Sequence, residues 1–216
     1  MIHFSPSPWL YLITGGRSAK ENFDKTKRDT LRIIATAVEA GVDFVQIREK
    51  QLPATLLFEL VKSSAEITQT TSTMLLVNGR PDIAIAAQAD GVHLPDSGLP
   101  VEVVRRTFSE SLMIGRSVHS ADEAARAFRD GADYVIYGNV FASPGKSEPR
   151  GIAELERVCR SVGDHPVIAV GGIDRMNFQQ VMGAGAAGVA AIGALSDPAS
   201  IRSFAAAFEE EKKKGQ

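Results

Sequence analysis

The segment Met113–Ser120 carries two side chains that can take part in proton transfer. Ser117 and His119 are two residues apart, so in an extended strand they point to the same side. A histidine can accept a proton near neutral pH and then return it. The run from Ser120 to Glu123 has the pattern of a capping box, which predicts that a helix begins directly afterwards. We therefore interpret His119 as a candidate general acid/base; the alternative is a histidine that only bonds the backbone at a helix start.

Two cations and an amide follow another apolar run. Gln46, Arg48 and Lys50 alternate at period two and share one side of an extended segment. Arginine can bind a phosphate or carboxylate through two parallel hydrogen bonds, and lysine adds a point charge. These three residues predict an anion site, and the alternative is a rim ion pair with Glu49 or a neighbouring acidic residue.

Glycine turns and one long loop complete the set of candidate site segments. Gly171-Gly172 and Gly193 follow apolar runs, and their backbone amides are not covered by a side chain, as in phosphate sites. Ordinary tight turns are the alternative. Residues 142–151 are rich in glycine, proline and serine and include Lys146, which is typical of an active-site lid or of an exposed loop.

Short apolar runs alternate with amphipathic helical segments along the whole chain, which predicts a (β/α)₈ TIM barrel in one domain, residues 1–216. A doubly wound open sheet is the competing layout. The first helix is expected at about residues 30–40, and residues 209–216 are expected to be a solvated, fraying tail. The strands are predicted at residues 10–14, 42–47, 74–77, 91–94, 112–118, 134–139, 167–170 and 188–192.

The composition excludes several classes of protein. Hydrophobic residues make up 44% and charged residues 23% of 216, which favours a folded globular chain. The net charge of -2 gives no general attraction for nucleic acid or membrane lipid. No apolar run of membrane-spanning length and no secretion signal is seen, and the single cysteine, Cys159, suits a cytoplasmic location. No metal-ligand pattern is present.

Several strand-end motifs, in order, resemble the thiamine phosphate synthase superfamily over nearly the whole chain. The resemblance supports the barrel fold and a role in thiamin biosynthesis. The matching segments lie at residues 11–14, 45–50, 78–84, 90–94, 114–120, 131–134, 169–173 and 185–189.

The departures from the synthase pattern indicate a branch of this superfamily. Gly79 and Gly98 stand where the synthases usually carry the two aspartates that hold Mg²⁺. The loop reads Ser143-Pro-Gly-Lys146 instead of the usual Thr-x-Thr-Lys. The segments around Asn78 and His119 instead resemble the TenI branch, the thiazole tautomerases.

The TenI resemblance implies an isomerase that aromatises a thiazole phosphate carboxylate by a proton shift, with His119 as general acid/base and no cofactor or metal. It allows a homodimer. A synthase with an altered magnesium site and a non-catalytic ligand-binding or regulatory barrel are the alternatives. The expected substrate-binding residues are Gln46, Arg48, Lys50, Asn78, Ser117, Ser143, Lys146, Gly172 and Gly193, where Arg48, Lys50 or Lys146 would bind the carboxylate and Gly172 and Gly193 the phosphate.

Overall fold

A computed structural model describes residues 8–108, 111–143, 145–146 and 148–214. Eight parallel strands are hydrogen-bonded in chain order and close into a barrel between the last and the first. Helices cover the outside, so the predicted (β/α)₈ architecture is confirmed. The strands are β1 (Trp9–Ile13), β2 (Phe44–Ile47), β3 (Met74–Asn78), β4 (Gly91–Leu94), β5 (Met113–Val118), β6 (Tyr134–Gly138), β7 (Val167–Val170) and β8 (Gly188–Ala191).

The α-helices follow the strands in regular alternation. They are α1 (Phe23–Glu39), α2 (Ala54–Thr68), α3 (Pro81–Ala86), α4 (Val101–Thr107), α5 (Ala121–Arg129), α6 (Ile152–Val162), α7 (Phe178–Gly183) and α8 (Pro198–Lys214). One-turn 3₁₀ helices lie at Lys20–Asn22 and Gly193–Leu195. No described helix is both long enough and apolar enough to cross a bilayer.

Alternation along the strands divides the core into two layers. In β1, Leu10 and Leu12 face the helices, whereas Tyr11 and Ile13 face the barrel interior. The interior is filled mainly by aromatic and branched side chains, so the barrel is a packed core. A few polar side chains, among them Gln46 and His93, are buried within it.

One interior position requires glycine because a side chain from the next strand occupies its space. A Cβ at Gly115 on β5 would overlap the phenol ring of Tyr134 on β6. The glycine therefore lets a full tyrosine ring lie across the inner wall of the barrel.

The first helix begins earlier than predicted. Helix α1 starts at Phe23, whereas the apolar periodicity indicated a start near residue 30. Residues 24–29 are polar or charged, so they show no apolar periodicity from which a helix could be predicted. The early turn is anchored by Phe23, which is buried in the core.

The C-terminal segment also differs from the predicted fraying tail. Helix α8 continues to Lys214, and residues 215–216 lie outside the described part. Lys212 Nζ lies 3.2 Å from Asp43 Oδ2 and 3.0 Å from Glu209 Oε1. The ion pair with Asp43, together with the packing of Phe208 in the core, holds the last turns against the barrel, and the pair with Glu209 lies within the helix.

Three aspartates repeat one contact at the N-terminal ends of the strands. Each lies just before an even-numbered strand and accepts a hydrogen bond from a backbone N–H at the start of the preceding odd strand. The pairs are Asp43 Oδ2 with Leu10 N at 2.8 Å, Asp90 Oδ2 with Leu75 N at 2.7 Å, and Asp133 Oδ2 with Ile114 N at 2.7 Å. Ala187 holds the corresponding place before β8. Its backbone N–H donates to Val167 O, just as the backbone N–H groups of the three aspartates donate to the carbonyl oxygens of Leu10, Leu75 and Ile114.

Candidate active site

The predicted site residues lie around the C-terminal mouth of the barrel. Because all strands are parallel, their carboxyl ends meet at one face. Gln46 and Asn78 are in direct contact there, with Gln46 Nε2 donating to Asn78 Oδ1 at 2.9 Å. Ser117 lies within β5, and His119 follows the end of that strand. Arg48 and Lys50 follow β2, Ser143 and Lys146 lie in the loop after β6, and Gly172 and Gly193 follow β7 and β8.

The His119 ring is held at the mouth by a hydrogen bond to the backbone of β6. Its Nδ1 lies 2.9 Å from the carbonyl oxygen of Gly138, at the end of β6. A carbonyl only accepts, so Nδ1 carries the proton in the neutral ring and Nε2 retains a lone pair. The half-buried imidazole therefore presents a base at a fixed position.

The predicted cap at the start of α5 holds the His119 backbone as well. Ser120 Oγ accepts a hydrogen bond from Glu123 N at 3.2 Å. The Glu123 carboxylate reaches back one residue further than in a standard capping box and accepts the His119 N–H at 2.6 Å. Both the ring and the backbone of His119 are thus oriented.

Glu49 does not form the rim ion pair that was the alternative interpretation of Arg48 and Lys50. Its buried carboxylate accepts the backbone N–H groups of Gly16, at 3.2 Å, and Ser18, at 2.8 Å. It thereby fastens the loop after β1 to the loop after β2. In the described ranges, no ion pair involves Arg48 or Lys50.

The cations at the mouth influence one another. The pKa of Lys50 is lowered, chiefly by the positive charge of Arg48, then by partial burial and by Lys146. Lys50 therefore lies within electrostatic reach of cations on two different loops. An anion between these loops would relieve this repulsion.

The glycine turns after β7 and β8 differ in how closely they are packed. Gly171 and Gly172 have φ values of 103° and 63°, and a Cβ on either would collide with residues 139–142 of the neighbouring loop. A Cβ at Gly193 would meet nothing within 4 Å. The fold places the two turns after adjacent strands, and phosphate binding at Gly172 and Gly193 stays a prediction.

The predicted lid after β6 is described in part. Ser143 is half-buried, and its carbonyl accepts the N–H of Lys146 at 3.2 Å, which forms a turn. Lys146 is exposed, and Pro144 and Ser147 lie outside the described residues. The roles of Ser143 and Lys146 in binding stay predictions.

Three interior side chains near the site were not predicted as functional. His93 was considered a rim residue or a residue facing the site, and it is buried inside the barrel with Nε2 2.9 Å from Ser117 Oγ. Tyr134 stacks on His93, with ring centroids 5.9 Å apart, and its hydroxyl lies 3.0 Å from that of Tyr11. The available signal was the period of two, which places Tyr11 of β1, His93 of β4 and Tyr134 of β6 on the inward faces of their strands.

Lowering the pH from 7 to 4 is expected to destabilise the fold through His93. Burial, with a smaller contribution from the Arg116 charge, lowers the pKa of His93 from 6.5 to about 3. The unfolded chain binds this proton below about pH 6.5 and the folded chain does not, so acid favours unfolding by up to about 1.4 kcal/mol per pH unit. Urea unfolding at both pH values should show a smaller loss for His93→Gln than for the wild type; equal losses would contradict the assignment.

Comparison with known proteins identifies the family. The family model "Thiamine monophosphate synthase" matches residues 10–195. The chain belongs to this family. A relative from Geobacter sulfurreducens, named putative thiamine-phosphate synthase, is 42% identical over 193 residues, which cover 88% of this chain and 87% of the relative. The thiamine-phosphate synthase of Roseiflexus castenholzii is 36% identical, covering 86% of this chain and 80% of its own.

A solved structure agrees with this family assignment. A thiamine phosphate pyrophosphorylase from Pyrococcus furiosus has a TM-score of 0.83 at 29% identity, with 97% of both chains covered. Membership in the thiamine monophosphate synthase family thus confirms two predictions: the chain belongs to an enzyme family of thiamin biosynthesis, and it has a TIM-barrel fold. None of these names includes the predicted tautomerase branch.

The mouth of this family member does not fit the magnesium site described above for the synthases. A Cβ at Gly98 would lie 2.9 Å from Pro95 O, which leaves no room for a carboxylate side chain on the present loop. Asp82 is engaged by Arg80 through two hydrogen bonds, at 2.8 and 2.6 Å. Across the described ranges, no group of three or more histidine, cysteine or acidic side chains could hold a metal ion.

Proposed function

We propose that the protein is a thiazole tautomerase that acts on a carboxythiazole ethyl phosphate tautomer. The observation that carries this proposal is the fixed His119 ring, whose Nδ1 is bonded to Gly138 O and whose Nε2 lone pair is available as a base. The metal-free chemistry also agrees with the poor fit of a magnesium site.

The reaction needs one base that works at two neighbouring carbons. His119 Nε2 removes the proton from ring C2, and the electron pair of that C–H bond moves into the ring. The exocyclic double bond then takes the same proton from the imidazolium at its alkylidene carbon, and the ring becomes aromatic. No electrons are gained or lost overall, and an oriented acid/base of this kind contributes about 10²–10⁴-fold.

The charges at the mouth suit a substrate with two anionic ends. The amides of Gly172 and Gly193 would bind the phosphate. The carboxylate would lie among Arg48, Lys50 and Lys146, where the mutual repulsion of the cations favours an anion. Gln46, Asn78, Ser117 and Ser143 would complete the contacts. A homodimer and a cytoplasmic location stay predictions.

Thiamine-phosphate synthase is the second candidate, and the names of the relatives favour it over the first. Both curated relatives described above carry that name, the Geobacter protein as putative, at 42% and 36% identity. The cations Arg48 and Lys50, which could bind a pyrophosphate, are compatible with this reaction. It requires Mg²⁺ to be held with few carboxylates, which is why the geometry favours the tautomerase.

One pair of assays separates the candidates. Purified protein is mixed with the thiazole tautomer, with and without EDTA, and aromatisation is followed by absorbance. In parallel, the protein receives hydroxymethylpyrimidine pyrophosphate, thiazole phosphate and Mg²⁺, and thiamine phosphate is measured. We expect aromatisation that EDTA leaves unchanged. Thiamine phosphate formation without aromatisation would favour the synthase, and binding without either turnover would favour the non-catalytic barrel.

A further inference from the structure

Six side chains form one continuous hydrogen-bonded chain through the interior of the barrel. The chain starts and ends at the mouth, at Ser117 and Asn78, and passes through the buried layer between them. Its contacts are Ser117 Oγ to His93 Nε2 at 2.9 Å, His93 Nδ1 to Tyr134 Oη at 3.4 Å, Tyr134 Oη to Tyr11 Oη at 3.0 Å, Tyr11 Oη to Gln46 Oε1 at 2.9 Å, and Gln46 Nε2 to Asn78 Oδ1 at 2.9 Å.

Gln46 sets the direction of this interior chain. Its amide oxygen accepts the Tyr11 hydroxyl proton, so the Tyr11 oxygen is left to accept from a neighbour. That neighbour is Tyr134, which therefore donates its own proton to Tyr11. Each hydroxyl has only one proton to donate. Once Tyr11 donates to Gln46, the donor and the acceptor of the next hydrogen bond are therefore fixed as well.

The direction fixes the tautomer of His93. The Tyr134 oxygen can only accept at its remaining contact, so His93 Nδ1 carries a proton. Nε2 is then unprotonated and accepts from the Ser117 hydroxyl. The Ser117 oxygen is left with lone pairs as its remaining hydrogen-bonding capacity.

Burial keeps the chain uncharged near neutral pH. It lowers the pKa of His93 to about 3 and raises the pKa values of Tyr11 and Tyr134. Aligned hydrogen bonds in a low-dielectric interior also polarise one another in the same sense. Near neutral pH, therefore, no buried member ionises and reverses the donor or acceptor role of Ser117 or Asn78.

We infer that this chain fixes the hydrogen-bonding sense of the barrel mouth, with Ser117 as an acceptor and Asn78 as a donor through Nδ2. Tyr134 and His93 are then positioning residues. A ligand that fits this mouth places a hydrogen-bond acceptor, such as a carboxylate or a ring nitrogen, towards Asn78. It places an N–H, an O–H or a bridging water towards Ser117. The inference rests on the proposed function only in placing the substrate at Ser117 and Asn78.

The tautomer of His93 tests the direction independently of activity. Two-bond ¹H–¹⁵N correlation spectra of protein with ¹⁵N-labelled histidine distinguish the two ring nitrogens, and His93→Gln identifies the resonance. We expect a protonated Nδ1 and a bare Nε2. A protonated Nε2 or an imidazolium at pH 7 would overturn the inference, even if the protein proves to be a tautomerase.

Tyr134→Phe tests whether the chain acts on the mouth. The substitution keeps the ring and removes the hydroxyl that accepts the His93 Nδ1 proton. We therefore expect His93 to populate both neutral tautomers instead of one. We also expect affinity for the aromatic carboxythiazole phosphate, measured by calorimetry, to fall roughly two- to tenfold, the range of one lost hydrogen bond. An unchanged His93 spectrum with unchanged affinity would overturn the inference.

Tyr137→Phe is the matched control. Tyr137 lies on the same strand but packs among the helices, and its buried hydroxyl has no hydrogen-bond partner within the described part of the chain. Its removal should leave the His93 spectrum and the affinity unchanged. If Tyr134→Phe fails to fold, the wild-type spectrum still decides the direction. If the spectrum is as expected but no thiazole phosphate binds, the proposed function fails and the direction of the chain stands.

Discussion

Replacing His119 by glutamine is expected to lower the tautomerisation rate roughly 10²–10⁴-fold, the contribution of a positioned acid/base. Glutamine can still donate to Gly138 O but cannot take up a proton. The loss should therefore fall on kcat, while the affinity for the aromatic product stays close to that of the wild type. Stopped-flow absorbance and calorimetry on the same preparations measure the two quantities.

His165→Gln is the control for this substitution. His165 stacks on Phe128, with ring centroids 4.4 Å apart, in the loop before β7, at the opposite end of the barrel from the mouth. Its replacement should leave kcat unchanged. If His119→Gln kept full turnover, the general acid/base would have to be another group and the proposed mechanism would be wrong.

Gly115→Ala is expected to destabilise the fold by about 1–3 kcal/mol, the usual cost of overpacking a core. The added methyl group would overlap the ring of Tyr134, which is fully buried on the inner wall. Moving the ring would also stretch the contact between Tyr134 and His93, already 3.4 Å long. Urea unfolding monitors the stability, and affinity for the carboxythiazole phosphate monitors the mouth.

Gly183→Ala makes the same chemical change where space is available. A Cβ at Gly183, in the last position of α7, would meet nothing within 4 Å. Its free energy of unfolding should remain within about 0.5 kcal/mol of the wild type. A Gly115→Ala protein as stable as this control would show that Tyr134 can relocate at little cost.

The strand pattern could be predicted because local residues mark its limits. β4 and β7 begin and end where predicted, since Gly91 begins the first and Pro166 precedes the second. The capping box at Ser120 likewise gave the start of α5. The first turns of α1 were missed because they depend on one buried aromatic residue, Phe23, whose partners are distant in sequence.

The site was only partly predictable for the same physical reason. Strand ends and period two brought Gln46, Asn78, Ser117 and His119 to one face. The contact between Gln46 and Tyr11 joins residues 35 apart, and that between Tyr11 and Tyr134 joins residues 123 apart. The first contact depends on how β1 pairs with β2 and the second on the closure of the barrel, and no local pattern indicates either.

The aspartates at the strand starts give the barrel a repeated internal order. The first three pairs of strands are each fastened by one carboxylate, over contacts that span 33, 15 and 19 residues. The fourth pair has Ala187 instead. Strands β1 and β8 pair where the barrel closes, and Lys212 of α8 adds a contact to the first aspartate, Asp43, across 169 residues. Because loop entropy grows only with the logarithm of loop length, this longest contact costs only about 1.4 kcal/mol more than the 33-residue contact, so a connection between the chain ends adds little to the cost of the three short ones.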